Sequence, residues 1–146
     1  MLTGMETGPG PPWTTKIAVV LREGLLPWQE LNVTAFLAGA IAGAVPELIG
    51  KPYIDGDGTA YLAMFRQPVL VLSGDGAVLR EARARALQRG LPLALFTADL
   101  FATGGDDENR AAVAAVSGPD LDLVGIALHG PKNAVDKVVK GARMHR

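Results

Sequence analysis

The run Lys16-Ile-Ala-Val-Val-Leu-Arg22 constrains this chain more than any other stretch. It is rich in β-branched and aliphatic residues and shows no polar alternation, the pattern of a strand buried on both faces. Such a strand needs packed layers above and below it. Val69-Leu-Val-Leu72, Leu93–Thr97 and Leu121–Leu128 read as further core strands, and segments of helical periodicity lie between them.

Pro27 can open a first helix, with Glu30 in the first turn, where the helix dipole favours an acid. Val33, Phe36, Leu37, Ala40, Ile41 and Ala44 recur every three to four residues and make one apolar face, which Pro46 ends. Tyr53-Ile54 and Thr59–Phe65 flank Asp55-Gly-Asp-Gly58 and predict a small hairpin. A second helix is expected over Ala77–Arg89, with Asp75 as N-cap and Gly90 just past its end. Asp106 or Asp107 can cap a short helix running to Val116. Gly130-Pro131 is expected to start a last helix that carries Val135, Val138, Val139 and Ala142 on one face, with Asp136 placed to pair with Lys140. Strands alternating with helices predict the α/β class, a three-layer α/β/α sandwich with a mixed, mostly parallel central sheet. A single domain is expected over residues 16–146, after a flexible N-terminal tail of residues 1–15 rich in Gly, Pro and Thr.

With 146 residues and 49% hydrophobic side chains, the chain can bury a core of its own. Its formal net charge of −1 sets it apart from dedicated nucleic-acid binders, which carry a large basic excess. Absence of cysteine removes disulfides, thiolate nucleophiles and Zn–thiolate sites, and it suits a reducing, cytoplasmic setting. His129 and His145 are the only imidazoles, so a histidine-rich metal site is not expected, nor is any cofactor. The N-terminal segment lacks the basic and apolar pattern of a signal peptide, and the longest apolar run, Val33–Val45, is too short to span a bilayer.

In open α/β sheets, ligands usually bind outside the carboxyl ends of the strands. Those ends carry Arg22-Glu23, Ser73, Thr97–Asp99 and His129. Trp28, Asn32 and Phe36 fall at i, i+4 and i+8, on one stripe of the first helix. An indole and an amide there can stack on and hydrogen-bond a planar ligand; alternatively Trp28 closes the core and Asn32 bonds the preceding turn. Gly39 and Gly43 continue that side, where another backbone can approach closely. Asn109 and Arg110 begin a short helix behind Gly104-Gly105, which makes either an anion seat or an ordinary solvated turn. Ser73 and His129, with Ser117 the weaker alternative serine, form a Ser–His nucleophile only if the last strand runs parallel to the others. Asp75 or Asp99 would then orient the imidazole; otherwise they are a turn serine and a surface imidazole. Gly74-Asp-Gly76 departs from the dinucleotide fingerprint, and Asp55-Gly-Asp-Gly58 from a calcium loop, so both read as turns. Arg83 lies in the apolar stripe of the second helix and is expected to snorkel over the core. Arg80, Arg85 and Arg89, with Lys132, Lys137, Lys140, Arg143 and Arg146, put positive charge on two helices, a solvated face or, if the helices adjoin, a track for phosphates.

The segments Lys16–Arg22, Leu25–Ala44, Pro52–Pro68, Phe101–Val116 and Leu121–Ala142 resemble an uncharacterised bacterial family, catalogued as domain of unknown function number 2000. That family is similar in fold to the type II peptidyl-tRNA hydrolases. The most telling pieces are Leu25-Leu-Pro-Trp-Gln-Glu-Leu-Asn32, Phe101-Ala-Thr-Gly104 with Asn109-Arg110, and Val124-Gly-Ile-Ala-Leu-His-Gly-Pro131 leading into Val135-Asp-Lys-Val138. The resemblance implies a mixed sheet of four or more strands and allows a homodimer. The hydrolases carry a lysine near the start of the first helix and a histidine about two turns later. Leu31–Gly39 holds neither, although Arg22 keeps a basic position at the end of the first strand. The expectation is therefore a binder of an unknown small molecule, with its site near Arg22, Trp28, Asn32, Ser73, Asn109, Arg110 and His129. The alternatives are a hydrolase of peptidyl- or aminoacyl-tRNA-like esters and a non-catalytic dimeric partner. Nucleic acid is not favoured, and no membrane is involved.

Overall fold

The structure is a computed structural model that describes residues 13–146; most of the expected tail, residues 1–12, lies outside the described residues. The elements are β1 (Thr15–Arg22), α1 (Pro27–Ala44), β2 (Tyr53–Ile54), β3 (Ala60–Tyr61), β4 (Val69–Gly74), α2 (Gly76–Gln88), β5 (Leu93–Thr97), α3 (Asp106–Ala114), β6 (Leu123–Pro131), α4 (Lys132–Val138) and β7 (Arg143–Met144). β1 sits at the centre of a five-stranded sheet of order β5-β6-β1-β4-β7, and β2-β3 form a separate hairpin. The centre suits the sequence of β1, because Ile17 through Leu21 are all buried. Ala18 and Val20 face a core shared with Leu79, Ala82 and Ala86 of α2 and Val135 and Val138 of α4. Ile17, Val19 and Leu21 face a second core with Val33, Leu37 and Ile41 of α1. Helices therefore cover both faces of the sheet.

The sheet is mixed, but it is not mostly parallel. Only β1 and β4 pair in parallel; β6 runs antiparallel to both β1 and β5, and β7 antiparallel to β4. The cause is visible at the end of β5, where the Ala98 N–H donates to the Asp122 carbonyl at 2.9 Å. The chain between them leaves and re-enters at one rim of the sheet, so β6 must run back from that rim. α1 lies close over β6 at Gly125, where an added Cβ would stand 2.6 Å from Val33 Cγ1 and 3.0 Å from Leu37 Cδ1. Glycine lets the helix carrying Trp28 and Asn32 seat against the sheet.

Local signals act largely as expected in α1 and α2. The Gln29 side chain accepts from the Leu26 N–H at 2.9 Å, ahead of Pro27 at the first helical position. Asp75 accepts from the Val78 N–H at 2.9 Å. Gly90, at φ +66°, lets its own N–H reach Leu87 and the Leu91 N–H reach Ala86, a Schellman closure. α3 differs, since neither Asp106 nor Asp107 caps it; Gly105 stands at the N-cap without a side chain, and both acids grip Arg110 instead. The end of the chain differs more. β6 continues through Pro131, and α4 stops at Val138. Gly141, at φ +98°, then turns the backbone into β7, which pairs with Leu72 and Ser73 at the sheet edge. Lys140 thus lies beyond the helix, and Asp136 pairs with Lys16 at 2.6 Å. No helix among the described residues is long and apolar enough to cross a membrane.

Candidate functional site

The N-terminal half of α1 and the segment after β5 enclose a crevice of about 450 Å³. Trp28, Asn32 and Phe36 line one wall. Phe96, Leu100 and Phe101 form the floor, and Thr103 through Asp106 with Asn109 form the far side. The i, i+4, i+8 stripe accounts for the first wall. A turn over Ala98–Ala102 brings Phe101 up beside the helix. The rings form a connected series: Trp28 meets Phe101 edge-on at 5.8 Å, Phe101 meets Phe96 at 5.2 Å, and Phe96 meets Phe36 edge-on at 5.6 Å. Trp28 does not close the core, because it remains 56% exposed, as Phe36 remains 55% exposed. A second, more apolar hollow of about 540 Å³ continues the trough past Phe36 to Ala40, Val113 and Ala114.

Two amides stand in this apolar setting. The Asn32 side chain has no hydrogen-bond partner among the described residues, so it does not bond the preceding turn. Asn109 hydrogen-bonds the Thr103 hydroxyl, which also reaches the Leu100 carbonyl at 3.0 Å, so one end of the amide is tied to its loop while the residue lines the crevice. The charge around the mouth is mainly acidic. Asp106, Asp107 and Glu108 occupy the first turn of α3. Arg110 is held at 2.6 Å by each of Asp106 and Asp107, and these partners keep its guanidinium above its usual proton affinity. An anion would meet net negative charge here, so the geometry gives no support to an anion seat on Asn109 and Arg110.

The other expected site residues lie apart from the crevice. Arg22 projects at the end of β1, where it pairs with Asp122 at 2.5 Å. Gly39 and Gly43 have no atom within 4 Å of an added Cβ, so no backbone approaches them. Ser73 and His129 cannot meet. Ser73 aligns with Leu21 at one end of β1, and His129 aligns with Ile17 at the other, roughly 13 Å along the strand. Burial holds the His129 imidazole below its ordinary value, opposed by the charge of Glu47, and its Nε2 is buried with no partner among the described residues. The imidazole beside Ser73 is His145, with Nδ1 2.6 Å from the Ser73 hydroxyl oxygen and Nε2 3.3 Å from a Glu30 carboxylate oxygen. That juxtaposition was hidden from sequence reasoning because it depends on β7. The one available signal was scarcity: the chain has two histidines and two serines. Among the described residues, no three His, Asp or Glu side chains gather as metal ligands.

The family described as Protein of unknown function (DUF2000) matches residues 15–146. The chain belongs to that family. The solved structure of a protein of unknown function, Atu0240 from Agrobacterium tumefaciens strain C58, is similar at 42% identity and a TM-score of 0.89. The likeness covers 92% of this chain and 99% of that one. No curated protein matches this DUF2000 chain.

Proposed function

We propose that this DUF2000 chain binds a small planar ligand, neutral or cationic, in the crevice between α1 and α3. The observation that carries this reading is the pairing of exposed Trp28 and Phe36 with the unpartnered amide of Asn32 in one concave site. Edge and face contacts from the rings would hold an aromatic or heteroaromatic body, and Asn32 with the Asn109 amide would fix its polar edge. Acids at the mouth favour a cation over an anion, and aromatic faces add to that preference. The finer expectations belong to the same proposal: a type II peptidyl-tRNA hydrolase-like scaffold, at work in a bacterial cytoplasm. A metabolite screen by thermal shift tests it. Ligands should raise the melting temperature of the wild type and lose that effect in Asn32→Ala and Trp28→Ala; variants that respond like the wild type would overturn it.

Two observations favour the alternatives. α2 and α4 pack side by side on one face, with Arg80, Arg89, Lys137 and Lys140 exposed, which supports contact with the phosphates of a tRNA-like ester. Binding to tRNA that falls steeply with salt, with ester turnover, is the outcome that reading requires. Tyr53, Ile54, Tyr61 and Leu62 are exposed along the β2–β3 hairpin, which supports a homodimer whose interface is the function. A dimer in sedimentation that Leu62→Asp dissociates would decide for it.

A further inference from the structure

The far side of α1 carries a second constellation. Glu30 belongs to the same helix as Trp28 and Asn32 but reaches the other edge of the sheet, toward β4 and β7. There a hollow of about 190 Å³ is lined by Glu23, Gly24, Glu30, Ser73, Arg143 and His145 among others. We propose that Ser73, His145 and Glu30 form a nucleophilic site for short acyl esters, separate from the aromatic crevice.

Each group has the chemistry its place requires. Ser73 is the penultimate residue of β4, paired with Arg143 of β7, and its hydroxyl faces His145 Nδ1 at 2.6 Å. The Glu30 carboxylate lies 3.3 Å from Nε2, so it favours the tautomer with the proton on Nε2 and leaves Nδ1 as an acceptor for the serine proton. Both partners are largely shielded, with side-chain exposures of 27% for His145 and 25% for Glu30. The nitrogens are used in the reverse sense to serine proteases, where Nε2 faces the serine; either nitrogen can serve as the base. Gly24 lines the hollow, and its N–H has no acceptor among the described residues, so it is a backbone donor available to an oxyanion. A hollow of about 190 Å³ suits a short acyl group, with the alcohol portion left toward solvent.

The reaction balances without a cofactor. The Ser73 oxygen attacks the ester carbonyl carbon as its proton passes to His145 Nδ1. The tetrahedral adduct collapses, the bond to the alkoxide breaks, and the alkoxide leaves with that proton as the alcohol. Water then attacks the acyl-serine, gives a proton to His145, and the bond between carbonyl carbon and Ser73 oxygen breaks. The serine recovers the proton, and a carboxylic acid departs. Glu30 acts throughout as a positioning residue.

A fluorophosphonate probe and p-nitrophenyl acetate test the proposal on the full chain. The wild type should take one phosphonyl group per chain, mapped to Ser73 by peptide mass spectrometry, and Ser117→Ala should label equally. Ser73→Ala should lose the adduct, and His145→Gln should slow both labelling and turnover by roughly 10³-fold or more, with circular dichroism confirming that each variant is folded. Glu30→Gln should lower kcat and leave KM nearly unchanged, which mere support of β7 would not produce. Absence of a Ser73 adduct in the wild type, or equal labelling of folded His145→Gln, overturns the proposal. Neither result bears on the crevice between α1 and α3, whose ligands are read by Trp28 and Asn32.

Discussion

Gly125→Ala and Gly39→Ala make the same chemical change, and the structure gives them opposite signs. At Gly125 the new methyl would stand 2.6 Å from Val33 Cγ1 and 3.0 Å from Leu37 Cδ1. Relaxed carbon contacts lie at about 3.5–4.0 Å, so α1 or β6 must move by most of an ångström. Val33 and Leu37 cannot swing away, because they are 0% and 2% exposed within a filled core. Overpacking of this kind costs about 1–3 kcal/mol. With unfolding entropy near 2.1 cal/mol/K per residue, a chain of this size loses about 3 °C of melting temperature per kcal/mol, hence about 3–10 °C. Gly39 faces open space in the middle of α1, so alanine there relieves the backbone entropy cost by about 0.5–1 kcal/mol and raises the midpoint by about 2–3 °C. Thermal unfolding followed by circular dichroism reads both. If Gly125→Ala is as stable as the wild type, α1 does not sit on β6 as described, and the crevice it walls has lost its support.

Two further outcomes follow from capping and titration. Asp75→Ala removes the acceptor of the Val78 N–H and should cost about 1 kcal/mol, read as a shift in the urea midpoint without a change in slope. The Asp55 carboxyl is held below its ordinary value of 3.8, first by the Tyr61 hydroxyl and then by the Thr59 and Asp57 N–H groups. A depressed carboxylate stabilises its hairpin above the unfolded value and loses that effect as pH falls through the folded one. The protection factor of the Thr59 amide, its exchange corrected for the intrinsic pH dependence, should therefore hold at pH 4 and fall only on stronger acidification, and Tyr61→Phe should move the Asp55 titration upward in NMR.

Much of this molecule is legible where a segment's own chemistry decides its state. The buried run of β1, the apolar stripe of α1, the Asp75 cap and the Gly90 closure all act within a few residues, and each forms where it is expected. Strand direction is another matter. Leu123–Pro131 reads the same in either sense, and only the Ala98–Asp122 contact, spanning α3, turns it back. For that reason His129 stands at the rim opposite Ser73. Trp28, Asn32 and Asn109 meet because a helical stripe and a helix start are both local features, and the strand-end rule brings them to one rim. Arg22 obeys the same rule yet stands apart, since Asp122 occupies its guanidinium. His145 was illegible because β7 is two residues long and lacks any pattern of its own; its partner strand defines it.

We propose that the crevice walled by Trp28, Asn32 and Asn109 takes a planar neutral or cationic ligand. Two-dimensional NMR of the labelled chain, titrated with matched neutral, cationic and anionic aromatic fragments, decides it. Neutral and cationic rings should shift the Trp28 indole N–H and the Asn32 and Asn109 side-chain amides together, with anionic rings inert. Binding confined to other residues, or a preference for the anions, would contradict it.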